Sequence, residues 1–146
     1  MVNRSMTTSS PVPRGDVRAQ IRLLGATPSL SDAPHSLLSR LVRIGHVVRI
    51  PPHWTMLAEQ TSADKAYILL SGEVAVRRHG DELPRCRRGE MLGELGIVRR
   101  RLRSATVVAA TDVVALHLGR DAFEQVHRED AYFRALVGEA MLRKTA

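Results

Sequence analysis

Aromatic side chains are scarce: Phe, Trp and Tyr make up 3% of the 146 residues. The length suits one domain with a real core, and aliphatic side chains have to fill it. There is a single cysteine, Cys86, which excludes an internal disulfide framework and is compatible with a reducing cytoplasm. With no partner nearby in sequence, its thiol reads as an apolar, strand-facing group. No apolar run is long enough to span a bilayer. The best, "ATVVAATDVVALHLG", is cut by Asp112 and His117. The N-terminus, "MVNRSMTTSSPVPRGDVRAQ", lacks the apolar stretch of a secretory signal. A soluble cytoplasmic protein without membrane contact is expected. Clustered metal ligands are missing as well: the six histidines are scattered, with His46 and His53 too far apart for a ligand pair and His117 alone. No metal site, catalytic constellation or enzymatic activity is expected. Lysine is nearly missing too. Of 22 basic residues only Lys65 and Lys144 are lysines, and the net charge is +7. Such a balance favours polyanions or a phosphate-bearing ligand, although a solvated arginine-rich surface gives the same composition.

What is present falls into three zones. Residues 1–14 are rich in Ser, Thr and Pro and read as a disordered tail; residues 15–146 form the folded domain. "DVRAQIRLLG" predicts a helix capped by Asp16 and ended by Gly25, with Val17, Ile21 and Leu24 on its inner face. A second helix, capped by Ser31 or Asp32 and stopped at Gly45, buries Leu37, Leu38, Leu41 and Val42. Short strand-like pieces follow: "HVVRI", "TMLAEQ", "AYILLSGEVAVRRHG" with a break at Ser71-Gly72, "ELPRCRRGEML", and "SATVVAATDVVALHLGR" with a break at Thr111-Asp112. Pieces this short, spaced by turn residues, favour a sandwich or rolled barrel of about eight strands over a parallel sheet. Helical periodicity returns from Asp121, with Phe123 and Val126 facing inward, and continues through "DAYFRALVGEAMLRKTA". Tyr67, Phe123, Tyr132 and Phe133 read as core residues, and Met91 as core filler.

The stretch "GEMLGELGIVRRRLRSATVVAAT" carries the chemistry. Glycines let backbone approach a ligand. "GELGIV" is long enough for about one helical turn, whose leading N–H groups attract an anion weakly. Arg103 brings a fixed charge and a forked donor set that fits phosphate oxygens in pairs, and Ser104 adds a hydroxyl. Glu94 repels phosphate but accepts hydrogen bonds from sugar hydroxyls. A carboxylate for hydroxyls beside a guanidinium for one phosphate describes a small phosphorylated sugar, not a polymer backbone.

Gly93-Glu94-Leu95-Gly96 and Arg103-Ser104-Ala105-Thr106-Val107, with glutamate and arginine nine apart, resemble the phosphate-binding cassette of cyclic nucleotide-binding domains. Those domains occur in catabolite-activator transcription factors, kinase regulatory subunits and some ion channels. "AYILLSGEVAV" is similar to the family's paired strands before the cassette, Gly89 to its preceding glycine, and "VVALHLGRDAFEQV" to its strand-then-helix ending. The resemblance covers roughly residues 20–142. It departs at Leu102, where the family usually has proline, at Leu92 in place of phenylalanine, and in the early turns, where Trp54 and Thr61 stand without the usual glycines.

The resemblance implies an eight-stranded β-roll, jelly-roll-like, flanked by N- and C-terminal helices. It implies a non-catalytic, stand-alone cyclic nucleotide sensor that binds cAMP in preference to cGMP and moves its C-terminal helices to signal to an effector protein. Glu94 would hold the ribose 2′-hydroxyl and Arg103 the cyclic phosphate. Ser104 and the amides around Gly93 and Leu95 would complete the phosphate shell, while Val76, Leu83 and Leu92 would shelve the purine. No cofactor beyond the ligand is implied, and a monomer or weak dimer is expected. The C-terminal helix reads as short, so that a lid over the base is weak or supplied by a partner. DNA binding by this chain alone is not expected, because its arginines are spread over strands and loops without interleaved aromatics. The competing expectation is a ligand-free module of the same fold that meets an acidic protein through the basic loop 99–103. In it, Arg99-Arg100-Arg101 also reads as a solvated loop tip.

Overall fold

Helical periodicity at both ends and short alternating pieces between them produce the expected order of elements. In a computed structural model, residues 10–11, 16–86 and 89–145 are described. Helices α1 (Val17–Gly25) and α2 (His35–Ile44) come first. Eight strands follow: β2 (His46–Ile50), β3 (Thr55–Leu57), β4 (Lys65–Ser71), β5 (Val74–Arg78), β6 (Asp81–Cys86), β7 (Met91–Leu92), β8 (Thr106–Ala109) and β9 (Val113–Gly119). The short helix α3 (Glu94–Arg99) sits between β7 and β8, and α4 (Arg120–Glu129) and α5 (Ala131–Thr145) close the domain. Ser10–Pro11 form a two-residue strand, β1, that pairs with β2. The rest of the expected tail, and the side chain of Cys86, lie outside the described residues.

Local rules account for α1 and only partly for α2. Asp16 caps α1 by accepting from the Ala19 amide at 2.9 Å. The inner face is set by Gln20 and Leu24, whereas Val17, expected on it, is 39% exposed. Helix α2 begins later than expected, at His35, with Pro34 in the cap position and neither Ser31 nor Asp32 capping it. A residue before proline disfavours helical backbone, so a helix cannot run through Ala33. Ser31 instead donates to the Pro28 carbonyl at 3.0 Å, closing a 3-10 turn at Pro28–Leu30. The expected apolar stripe of α2 holds: Leu37, Leu38, Leu41 and Val42 are all buried.

The strands form two antiparallel sheets, ordered β1-β2-β9-β4-β7 and β3-β8-β5-β6, and this is the β-roll. Strand β4 explains the uninterrupted apolar run "AYILL", because the period-2 alternation sends its side chains into two different cores. Ala66, Ile68 and Leu70 face the helices, packing with Leu24, Leu41, Phe123, Phe133 and Val137. Tyr67 and Leu69 face the opposite sheet, packing with Met56, Leu57, Val107 and Ala115. Of the four aromatics expected in the core, Tyr67, Phe123 and Phe133 are buried. Tyr132 is half-buried at the edge, because its hydroxyl donates to the Ser29 carbonyl at 3.1 Å. Among the described residues, no helix is long and apolar enough to cross a membrane.

Candidate functional site

The site is assembled by three neighbouring devices: a ladder of apolar side chains, a glycine-led helical turn and the end of the last helix. The ladder follows from strand register. Across the four-stranded sheet, Leu57 pairs with Val107, Val107 with Val76, and Val76 with Leu83. Residues directly opposite in a sheet share a face. These four side chains form one row along a cavity of about 610 Å³. Leu92, 2% exposed, adds to the same wall from β7. The expected shelf of Val76, Leu83 and Leu92 is thus in one place, extended by Leu57 and Val107.

Gly93 starts the turn. Its φ of 88° lies in the left-handed region, which costs any residue with a Cβ about 1–2 kcal/mol. Space demands glycine as well: a Cβ here would stand 2.8 Å from Nη1 of Arg103 and 3.0 Å from the Lys65 carbonyl oxygen. Helix α3 leaves from Gly93 without a side-chain cap. It lies close on the loop between β3 and β4, where a Cβ on Gly96 would come within 2.7 Å of the Ala63 Cβ.

Arg103 enters from the other side. Its backbone is pinned to the turn at 60–61: its amide donates to the Thr61 carbonyl at 2.9 Å, and its carbonyl accepts from the Gln60 amide at 2.8 Å. Its side chain is buried, and Nη2 donates to the Lys65 carbonyl at 2.8 Å and faces Asp64 Oδ1 at 3.4 Å. Burial lowers the guanidinium's pKa, while Asp64, and more weakly Glu94, hold the charge in place. The same burial pulls Lys65 below the ordinary lysine range, with Asp64 opposing. It also pushes the Tyr67 phenol, just behind the site, up to about 12.

Glu94, at the first position of α3, is 0% exposed. Both its carboxylate oxygens accept from Nζ of Lys144, at 2.7 Å for Oε2 and closer still for Oε1. The same ammonium donates to the Met91 carbonyl at 2.6 Å. The periodicity of α5 brings this lysine here. Phe133, Val137 and Ala140 form its buried stripe, and Lys144 continues it one turn on, over the mouth of the cavity. Arg143 and Ala140 line the cavity too. The helix read as short therefore ends on the site.

Every residue expected in the site lines this cavity: Gly93, Glu94, Leu95, Arg103 and Ser104, with Val76, Leu83 and Leu92 opposite. Asp64, Lys65, Arg143 and Lys144 escaped the motif reading because they lie far from the cassette in sequence. Of these, Arg143 and Lys144 line the cavity, whereas Lys65 and Asp64 reach the site through their contacts with Arg103. Chemically, the arrangement offers a buried fork of N–H donors, a buried carboxylate and an apolar row to a ligand with a phosphate, hydroxyls and a flat apolar face.

The architecture and its cavity are those of a β-roll ligand-binding domain. Residues 47–130 match the family model of the cyclic nucleotide-binding domain, and the chain belongs to that family. It is 37% identical over 81 residues to a cAMP-dependent protein kinase regulatory subunit of Aspergillus niger, covering 54% of this chain and 20% of the relative. It is 30% identical over 97 residues to a cGMP-dependent protein kinase of Toxoplasma gondii, covering 65% of this chain and 10% of that protein. The solved structure of a cAMP-binding acyltransferase from Mycobacterium smegmatis matches with a TM-score of 0.67 and 25% identity, covering 87% of this chain and 41% of that chain. The chain thus spans 20% or less of the length of these two curated relatives.

Proposed function

We propose that this domain captures a cyclic nucleotide, cAMP in preference to cGMP, without catalysing a reaction on it, and passes the event to a partner protein in the cytoplasm through its C-terminal helices. Arg103, with Ser104 and the amides of Gly93 and Leu95, takes the cyclic phosphate. Glu94 takes the ribose hydroxyl, and the row of Leu57, Val107, Val76 and Leu83, with Leu92, supports the base. The observation that carries this reading is that Gly93 sets the Arg103 guanidinium and the Glu94 carboxylate on one cavity beside that row. The preference for cAMP is supported by the resemblance of "RSATV" to adenine-binding members and by the fungal relative, whose name includes cAMP-dependence. Helix α5 both packs on α3 and ends on the cavity, so a ligand pulling on α3 biases the helix.

Thermal unfolding and titration calorimetry with cAMP, cGMP and 5′-AMP test this. A ligand specific to the folded state, at a hundred times its Kd, adds about 2.7 kcal/mol to stability. The midpoint should rise with cAMP, less with cGMP and not with 5′-AMP. Flat midpoints and no heat with both cyclic nucleotides would refute the reading. The second reading would then take its place, a ligand-free module that engages an acidic protein through its basic loop. That reading is favoured by the exposure of Arg99, Arg100 and Arg101.

A further inference from the structure

Lys144 spends its whole donor capacity inside the site. An ammonium has three N–H groups, and here they serve Glu94 Oε1, Glu94 Oε2 and the Met91 carbonyl. The carboxylate they meet is 0% exposed. Neither water nor ligand reaches it while the lysine is in place. The lysine side chain itself is 28% exposed and sits in the last turn of α5, where Leu142 is 70% exposed. The anchor is buried and the arm that holds it is partly exposed.

We propose that Lys144 is an intramolecular stand-in for the hydroxyl donors of the ligand, so that the last turn of α5 closes the site without ligand and is expelled when ligand binds. This rests on the reading that Glu94 receives the ligand's hydroxyls. A buried carboxylate left unpaired is costly, so one donor set must replace the other. A binding-competent state that is only fractionally populated lowers apparent affinity by that fraction. The lysine therefore weakens binding while tying it to release of the helix end. The latch also sets a chemical requirement on the ligand, which must return hydrogen-bond donors to Glu94; an analogue without the hydroxyl cannot.

The test compares the full chain with Lys144→Met. The substitution keeps the apolar stem and removes the ammonium. Titration calorimetry with cAMP should show binding about tenfold tighter in the variant, because the competitor is gone. Hydrogen exchange without ligand, read over residues 141–145, should be faster in the variant than in the wild type. Equal or weaker cAMP binding by the variant overturns the latch and leaves the binding reading standing. Unchanged exchange at the helix end overturns it as well, whatever the affinity. No binding by either protein overturns the binding reading itself, and the competition with it.

Discussion

Replacing Arg103 with alanine should separate binding from folding. The residue is 5% exposed. Its guanidinium meets the Lys65 carbonyl at 2.8 Å and Asp64 at 3.4 Å, the latter 56% exposed. Deleting the side chain removes a charge-assisted hydrogen bond to a neutral acceptor, about 1.5–3 kcal/mol. It also releases a cation from a desolvated place, which offsets much of that loss. The net effect on folding should be about 1 kcal/mol or less, a midpoint shift of about 2–4 °C for a chain of this size. Binding has no such compensation. Truncating one partner of a buried charge pair costs about 2–4 kcal/mol, and at 1.4 kcal/mol per decade the Kd for cAMP should rise about thirty- to a thousandfold. Arg103→Lys keeps the charge but loses the fork, and should fall between wild type and alanine. Calorimetry with cAMP, paired with thermal unfolding of each protein, reads both quantities. A folded alanine variant that binds cAMP as tightly as wild type would refute the reasoning; a collapse of folding in both variants would make the residue structural instead.

Two further outcomes are expected. Gly93→Ala should lose about 1–2 kcal/mol of stability from the left-handed φ. It should lose more than that in cAMP binding, because the new Cβ, 2.8 Å from Arg103 Nη1, displaces the guanidinium; equal losses in the two assays would contradict that mechanism. His117, edge-on to Tyr67 at 5.4 Å, is held below the ordinary histidine value of 6.5 by burial, helped by Lys65 and His46. The unfolded chain therefore takes up the proton first. The histidine's share of stability is present above about pH 6.5 and is lost as the pH falls through its lower folded value. Urea unfolding between about pH 8 and about pH 5 should show this slope, and His117→Gln should flatten it; an unchanged slope would count against a buried neutral imidazole.

How much of this was legible depended on distance along the chain. Glu94 and Arg103 were readable because one short stretch carries both, beside glycines that let backbone approach a ligand. Asp16 was readable as a cap because its acceptor reaches only three residues ahead. Ser31 and Asp32 misled for a local reason that was present but outweighed: Pro34 bars the helix from beginning before it, and the 3-10 turn uses the serine hydroxyl. Periodicity alone put Val17 on the inner face of α1, although the packing begins only at Gln20. Val76, Leu83 and Leu92 do line one cavity, but the order of the row, Leu57 to Val107 to Val76 to Leu83, needs the strand register, which no single strand encodes. Lys144 stands 50 residues from Glu94, and no motif spans that gap. Its position follows from the angular phase of α5 once Phe133, Val137 and Ala140 are known to be buried.

Strand β4 has the last consequence. A strand whose two faces are both walled in cannot surrender one neighbour and keep the other. If the helical layer peels off, Ala66, Ile68 and Leu70 meet water, and the backbone that frames Tyr67 and Leu69 loses its support. The roll and its helices should therefore melt together as a single cooperative unit. The Lys65 carbonyl that receives Arg103 opens this same strand, which seats the guanidinium on the least yielding part of the molecule.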